Sequence, residues 1–499
     1  MKDKASMDTP PSRCREEASY LLEYSYPLSG LQLWVGAGNG NHVEAWGRSI
    51  CIVIKERLVA EDVAGGVLAE TYAGFLLAPP RSTWGDESLL KSHIEEYSQR
   101  VAGEENYRLQ RLLGPHLHRH AVLAKIAPLV ARMARLARLY TWLRPLYRQA
   151  FTPQGARWLH RVAEAYAGPR RELAASDLPL LKPSRGVGAA SALAAVEIAL
   201  EAASLDILRA IPREAITEGI LSRNPPPLRD PLLYVRLDAA RLATKLLDFE
   251  EQLYALTGVR KVLEAKRRGL IRSARLLEAP GGFRPAVVKH YRDATIAKWL
   301  IAALLSLPLP QPRLGSKARL GAEYHYNRVL SELGYRVPRP ILVDPRRRMA
   351  AYTYVEGKTL AELLRENSTH PVYASYGRLL AELHRDGVAL WDTNPTNAIL
   401  GSDGELYLID LEQAREARTL AEKAWDIAVA VYYSIPYAIG GAPERALLLA
   451  GGYLEAGGSK EVILEASKYR YAAPFAAVVP PNVLEKTRRS LALAAGRGG

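Results

Sequence analysis

From Val388 to Asp410 the chain reads VALWDTNPTNAILGSDGELYLID, and few local structures satisfy all of it at once. The apolar run Val388–Leu390 is the length of one short buried strand. Pro395 discourages helix in the loop that follows, because it lacks the N–H and clashes with the preceding turn. NAIL and ELYLID then read as two strands turning at Asp403-Gly404, where glycine supplies the positive φ that a tight hairpin needs. The hairpin delivers Asp410 at its far end. Asp392, Asn397 and Asp410 are therefore expected to converge.

The stretch just upstream, ELHRDG, contains a rival aspartate. Tyr376, Leu379, Leu380 and Leu383 fall at i, i+3, i+4 and i+7, the spacing of one helix face. Gly387 suits that helix's end. His384 and Arg385 then occupy the last turn, where positive groups meet the negative end of the helix dipole. Asp386 is accordingly expected at a helix end with no chemical role.

Two carboxylates and an amide oxygen brought together in this way suit phosphoryl transfer. The protein's task there is to position reactants and hold divalent cations rather than to supply covalent chemistry. Asp410 and Asn397 offer oxygen donors for Mg²⁺ or Mn²⁺, and Asp392 is placed to take the proton of an acceptor hydroxyl. A partner lysine is expected in the preceding segment. GLIRSARLLEAPGGFRPAVVKHY reads as two strands joined by a Pro-Gly-Gly turn, the second carrying Lys289. In the later helix Ala322, Tyr326, Val329, Leu330 and Leu333 recur at helical spacing and Gly334 stops it. Glu323, in preference to Glu332, is the carboxylate expected to orient Lys289.

Over roughly Thr257 to Leu449 the sequence resembles the protein-kinase-like superfamily. AVVKHY is similar to the strand with that family's phosphate-pairing lysine, DTNPTN to its catalytic D-x-x-x-x-N loop, and LIDLE stands where D-F-G would be. EKAWDIA resembles the buried helix whose aspartate, here Asp426, ties the catalytic loop in place. Asn394 and Glu412 depart from ordinary Ser/Thr kinases toward aminoglycoside- and choline-type phosphotransferases, whose loops resemble D-x-x-P-x-N and I-D-x-E. The strand, the helix LGAEYHYNRVLSELGYRVPRP and EKAWDIA are also similar to atypical RIO, lipopolysaccharide-kinase and tRNA-modification-associated kinases. Leu390 and Trp391 replace the usual His-Gly or His-Arg, and no G-x-G-x-x-G loop precedes Lys289. Gly269 and Ser273, beside Lys266, Arg267 and Arg268, are what the chain offers there for ATP.

The resemblance implies an α+β fold: a C-terminal bilobal protein-kinase-like domain preceded by a mixed, mostly helical region. The expected divisions are a flexible tail at 1–19, an accessory region at 20–256, an N-lobe at 257–357 and a C-lobe at 358–499. The implied activity is transfer of the ATP γ-phosphate to a hydroxyl acceptor, whether small molecule, protein or RNA. An atypical Ser/Thr protein kinase and a silent nucleotide-dependent, RNA-associated scaffold stay open as alternatives.

Composition sets outer bounds. A charged fraction of 24% with 48% hydrophobic residues describes a globular chain, not a disordered or membrane one. AASALAAVEIALEAASLDIL carries Glu197, Glu201 and Asp206, so no membrane span is expected. The net charge of +14 fits a polyanionic ligand such as nucleotide or RNA. RMARLARLYTWLRPLYRQ places Arg132, Arg135, Arg138 and Arg144 either as a phosphate patch or as a solvated helix face. The chain's 2 cysteines, Cys14 and Cys51, are too few for a disulfide framework or a cysteine-based zinc site, and a reducing cytoplasm is expected. GAGNGN reads as a turn between strands. In HLHRH, His116, His118 and His120 diverge on a helix and make no metal site.

Overall fold

The computed structural model describes residues 12–26, 30–140, 142–183, 235–237, 241–242, 249–259, 262–264, 274–277, 285–291, 311–476 and 478–497. The chain forms two compact units, Met1–Arg111 with Ala121–Arg236, and Leu112–His120 with Leu237–Gly499. No helix among the described residues is long and apolar enough to cross a membrane. Gly269, Ser273, the Pro-Gly-Gly turn and the segment containing Glu197 lie outside the described residues.

The first unit is built on strands β1 (Ala18–Ser25), β2 (Gln32–Gly38), β3 (His42–Trp46), β4 (Ser49–Lys55) and β5 (Ser82–Gly85), in the order β3-β4-β2-β1-β5. β2 and β4 run parallel and the other pairs antiparallel. Of GAGNGN, expected as a turn, Gly36–Gly38 end β2 and only residues 39–41 turn the chain into β3. The apolar runs of β1 and β4 follow from burial on both faces. One face meets α1 (Ser12–Glu17), enclosing Cys14, Leu21, Trp34, Cys51 and Val53. Tyr20, Leu22, Leu33, Val35 and Ile54 face the other way, in a core with α2 (Glu56–Gly65), α3 (Glu87–Leu113), α4 (Ala127–Leu139), α5 (Leu143–Gln149) and α6 (Pro153–Val162). A small sheet of β6 (Ala121–Ala124), β7 (Glu172–Ala174) and β8 (Val235–Leu237) completes its described part.

Three expectations are corrected here. Residues 12–19, expected as part of a solvated tail, form α1 and the start of β1 with Cys14 buried, because docking on the sheet supplies the apolar contacts that so short a helix lacks alone. Cys14 and Cys51 are joined by a disulfide that ties α1 to β4, with a Cα–Cα distance of 6.6 Å. The third concerns Arg132, which is neither a phosphate ligand nor a solvated charge. It is 0% exposed on α4, and its guanidinium donates to Glu70, Glu104 and Glu105. Arg135 also bonds Glu105, and Arg144 donates from Nε to the Ala137 carbonyl. Burial opposes ionisation of Glu70, but Arg132 and Arg100 outweigh it and hold its pKa below the usual carboxylate range.

The second unit holds a six-stranded sheet. Its strands are β9 (Arg241–Leu242), β10 (Val262–Glu264), β11 (Ala274–Leu277), β12 (Ala286–His290), β13 (Pro340–Asp344) and β14 (Met349–Thr353), in the order β10-β11-β12-β14-β13-β9. Among the described residues only β9 pairs in parallel. α7 (Phe249–Thr257) packs Phe249 and Leu253 against Val288, Leu342 and Ala351 of this sheet. α8 (Ser316–Glu332) ends at Gly334, whose φ of +90° only glycine adopts readily.

A larger core follows around α9 (Leu360–Glu366), α10 (Val372–Arg385), α11 (Leu420–Tyr432), α12 (Ala442–Glu455), α13 (Lys460–Ala466) and α14 (Pro481–Arg497). α10 and α12 approach closely because each presents a glycine. A Cβ at Gly377 would stand 2.0 Å from the Leu449 carbonyl oxygen, and one at Gly452 2.0 Å from that of Ala374. Short strands lie at the edge of this core. β15 (Gly357–Thr359), β17 (Ala398–Gly401) and β18 (Leu406–Leu408) form one sheet, and β16 (Val388–Ala389) pairs with β19 (Arg415–Glu416). The whole is a mixed α+β architecture.

Candidate active site

Lys289 is the fourth residue of β12, opposite Ala350 of β14. Alternation along the strand sends it away from the face where Val288 packs. Glu323 sits in the middle of α8 and is 2% exposed, so its carboxylate needs partners. It has two. Lys289 Nζ donates to Glu323 Oε1 at 2.5 Å, and Tyr291 Oη donates to Oε2 at 2.5 Å. The same ammonium reaches Asp410 Oδ1 at 3.2 Å. Burial works against charge on Lys289, but the Asp410 and Glu323 carboxylates outweigh it and hold its pKa above the ordinary lysine value. Burial raises that of Glu323, with Lys289 pulling the other way. Glu332, the alternative carboxylate, is exposed and pairs with Arg328.

Asp410 arrives at this place by the hairpin. β17 and β18 pair antiparallel from Ala398↔Leu408 to Leu400↔Leu406, and Gly404 takes φ +80° in the turn. The Ile409 amide bonds the Asn397 carbonyl at 2.9 Å, so Asn397 lies beside the segment that ends in Asp410. Asn397 Nδ2 in turn donates to the Asp392 carbonyl at 3.0 Å, fixing the loop's conformation. Asp410 itself has φ +63°. Such a backbone costs about 1–3 kcal/mol outside glycine and is retained where surrounding contacts enforce it.

A second left-handed residue, Trp391 at φ +64°, immediately precedes Asp392. For so bulky a side chain this is a true outlier. What holds it is Asp426, fully buried on α11. Its carboxylate accepts from the Leu390 amide at 2.7 Å and the Trp391 amide at 2.6 Å, while Trp425 Nε1 donates to the Trp391 carbonyl at 2.9 Å. Thr393 Oγ1 donates to the Asp426 carbonyl at 2.6 Å. Asp392 is thus presented from a clamped loop, with its side chain partly exposed.

The rival triplet ends α10. His384 is buried, with Nε2 at 3.2 Å from Asp426 Oδ2 and Nδ1 at 2.9 Å from Tyr453 Oη. Arg385 and Asp386 are exposed, and Asp386 accepts from Tyr335 Oη at 2.6 Å. His384 therefore supports the loop from behind. That role was missed in the sequence, although its helical register with Tyr376 and Leu380 placed it on the buried face.

Arg319 and Glu412 were missed as well. Arg319, one turn before Glu323 on α8, donates from one guanidinium nitrogen to both carboxylate oxygens of Glu412 at 3.1 and 3.0 Å. Burial and the neighbouring Asp410 carboxylate push Glu412 up to about 8, against the pull of Arg319. Carboxylate oxygens of Glu323, Asp410 and Glu412 lie within 4.8 Å of one another. Lys289, Glu323 and Asp410 are thus in direct contact, and Asn397 and Asp392 join them through the hairpin's base.

The histidine stretch takes a different form from the one expected. His116, in the short helix Pro115–His118, and His120, in the turn after it, both meet His325 of α8, with ring centroids 5.3 and 5.2 Å away. His120 Nε2 lies 2.9 Å from His325 Nδ1. Burial, with His120 and His116 adding to it, lowers the His325 pKa to about 4.

No family model matches the chain and no curated protein matches it. Among solved structures it is similar to choline kinase LicA from Streptococcus pneumoniae, at 16% identity over 46% of this chain and 97% of that one, with a TM-score of 0.26. It is also similar to the Rio2 kinase from Chaetomium thermophilum in an ADP/Mg²⁺-phosphoaspartate complex, at 16% identity over 50% of this chain and 75% of that one, with a TM-score of 0.27. A second structure of that Rio2 kinase matches at 15% identity over 48% and 74%, also with a TM-score of 0.27.

Proposed function

We propose that the second unit is a protein-kinase-like phosphotransferase that moves the γ-phosphate of ATP to a hydroxyl acceptor. The observation that carries this reading is the bridge made by Lys289 between a buried helix glutamate and Asp410 at the end of a hairpin. What sets this bridge apart from a structural ion pair is that Asp410 is partly exposed and held in a strained left-handed backbone beside the lysine, the arrangement expected where a ligand is met.

In this reading Lys289 Nζ meets the nucleotide's phosphates, and Glu323 holds the ammonium in place. Asp410 and Asn397 supply hard oxygen donors, a set that fits Mg²⁺ or Mn²⁺, which when bound would neutralise charge on the phosphates. Asp392 orients the acceptor hydroxyl and takes its proton. Asp426 and His384 act behind the loop as positioning residues. Asp386 has no part. The site's surroundings are proposed to be cytoplasmic. The Cys14–Cys51 bridge does not exclude that, since intracellular proteins of hyperthermophiles are disulfide-rich.

The test is transfer of label from γ-labelled ATP in a cell extract, with protein, RNA, lipid and small-molecule products separated afterwards. Divalent-metal-dependent label in a phosphate ester of one class, lost in Lys289→Ala, is the expected result. Absence of both transfer and metal-dependent ATP binding would overturn the reading.

A further inference from the structure

The first unit carries a second group of chemistry-bearing side chains, and phosphoryl transfer makes no use of it. Cys14 of α1, His42 and Glu44 of β3 each present a ligand-type atom within 4.8 Å of the other two. Cys51 Sγ is bonded to Cys14 Sγ. The register explains the convergence. His42 and Glu44 are two apart on β3 and so share a face. Glu44 lies directly opposite Cys51 on β4, which puts both on the face that α1 covers. Both sulfurs are fully buried, whereas His42 and Glu44 sit at the rim, 15% and 36% exposed.

We propose that in the reduced chain Cys14, Cys51, His42 and Glu44 form a four-donor zinc site. Two soft thiolates, a borderline imidazole and a single hard carboxylate together suit the borderline Zn²⁺ and not Mg²⁺ or Ca²⁺. Zinc–ligand bonds of about 2.0–2.3 Å in a tetrahedron place donor atoms about 3.3–3.8 Å apart. His42 Nε2 and Glu44 Oε2 are already 3.3 Å apart. Assembly needs the sulfurs to separate, Cys51 Sγ to turn toward the rim pair, and the atoms of Cys14, His42 and Glu44, now within 4.8 Å of one another, to close by up to about 1 Å.

The chemistry balances through a dithiol reductant. The dithiol delivers two electrons and two protons, cleaves the S–S bond to two thiols and leaves as its own disulfide. Zinc then displaces the two thiol protons. The disulfide and the metal are alternative staples, each holding α1 to β4. Only the metal also engages the edge strand β3.

The test uses the full chain, reduced with a phosphine and titrated with Co²⁺ as a spectroscopic probe. The expected result is one equivalent of cobalt bound with thiolate-to-metal charge-transfer absorption, displaced by one equivalent of Zn²⁺. The unreduced chain should show no such band. Cys14→Ser should abolish it. Should that variant not fold, His42→Ala and Glu44→Gln at the rim still decide the matter. Each should weaken Zn²⁺ by at least the roughly 10- to 100-fold that loss of a ligand's outer hydrogen-bond partner produces. Asp410→Ala should leave the band unchanged, which separates this site from the one proposed for nucleotide. A reduced chain without the band, or one whose Zn²⁺ affinity ignores both rim variants, would overturn the proposal.

Discussion

Asp426→Asn is the substitution whose consequence follows most closely from the geometry. The carboxylate accepts the Leu390 and Trp391 amides at 2.7 and 2.6 Å on separate oxygens, and both amides are buried. An asparagine is the same size but has one oxygen. Its Nδ2 must face one of the two N–H groups, donor against donor. An orphaned buried N–H costs about 1–3 kcal/mol, and loss of charge assistance in the surviving bond adds about 1 kcal/mol. The loop therefore opens about 2–4 kcal/mol more easily, or about 30- to 700-fold. Hydrogen exchange at the amides of Leu390 and Trp391 reads this directly. Exchange should accelerate by that factor, while Asp386→Asn, whose exposed side chain accepts from Tyr335 Oη, leaves it unchanged. Protection within about threefold of the parent in Asp426→Asn would refute the clamp.

Arg132→Ala removes the buried guanidinium shared by Glu70, Glu104 and Glu105, leaving only the more distant Arg100 for the first two, and should destabilise the first unit by about 3 kcal/mol in chemical denaturation, whereas exposed Arg138→Gln should shift it by less than about 0.5 kcal/mol. Asp410→Ala and Asn397→Ala should each weaken Mg-ATP much more than metal-free adenosine in calorimetry; equal losses for both ligands would contradict the metal role. His325 has a lowered pKa in the fold, so the unfolded chain binds more protons between about 4 and 6.5 and stability falls as pH drops through that window. His325→Asn should flatten the slope of unfolding midpoint against pH there, and an unchanged slope would discount the histidine cluster.

Local grammar made much of the second unit legible. Gly334, Gly387 and Gly404 mark a helix stop, a helix end and a hairpin turn because positive φ at those places favours glycine. The period-2 strand with Lys289 and the helical spacing around Glu323 depend on near neighbours alone. What stayed hidden depends on contacts far apart in the chain. Arg132 meets Glu70 across 62 positions, and no basic-face pattern reveals that carboxylates close over it. The Cys14–Cys51 bridge spans 37 positions and depends on α1 docking, although α1 is too short to declare itself by periodicity. His384 and Asp426 meet across 42 positions, so a triplet resembling a catalytic motif concealed a structural histidine. His116 and His120 looked divergent because only their own segment was visible, not the third imidazole on α8.

The central claim is that Asp392, and not Asp386, stands at the reacting hydroxyl of a phosphotransferase. The most direct measurement is the single-turnover rate of γ-phosphate transfer by the parent, Asp392→Asn and Asp386→Asn, with Mg-ATP affinity determined for each. Asp392→Asn should lose about 10²- to 10⁴-fold in rate while still binding nucleotide, and Asp386→Asn should match the parent. Equal losses in both variants, or full activity in Asp392→Asn, would contradict the account.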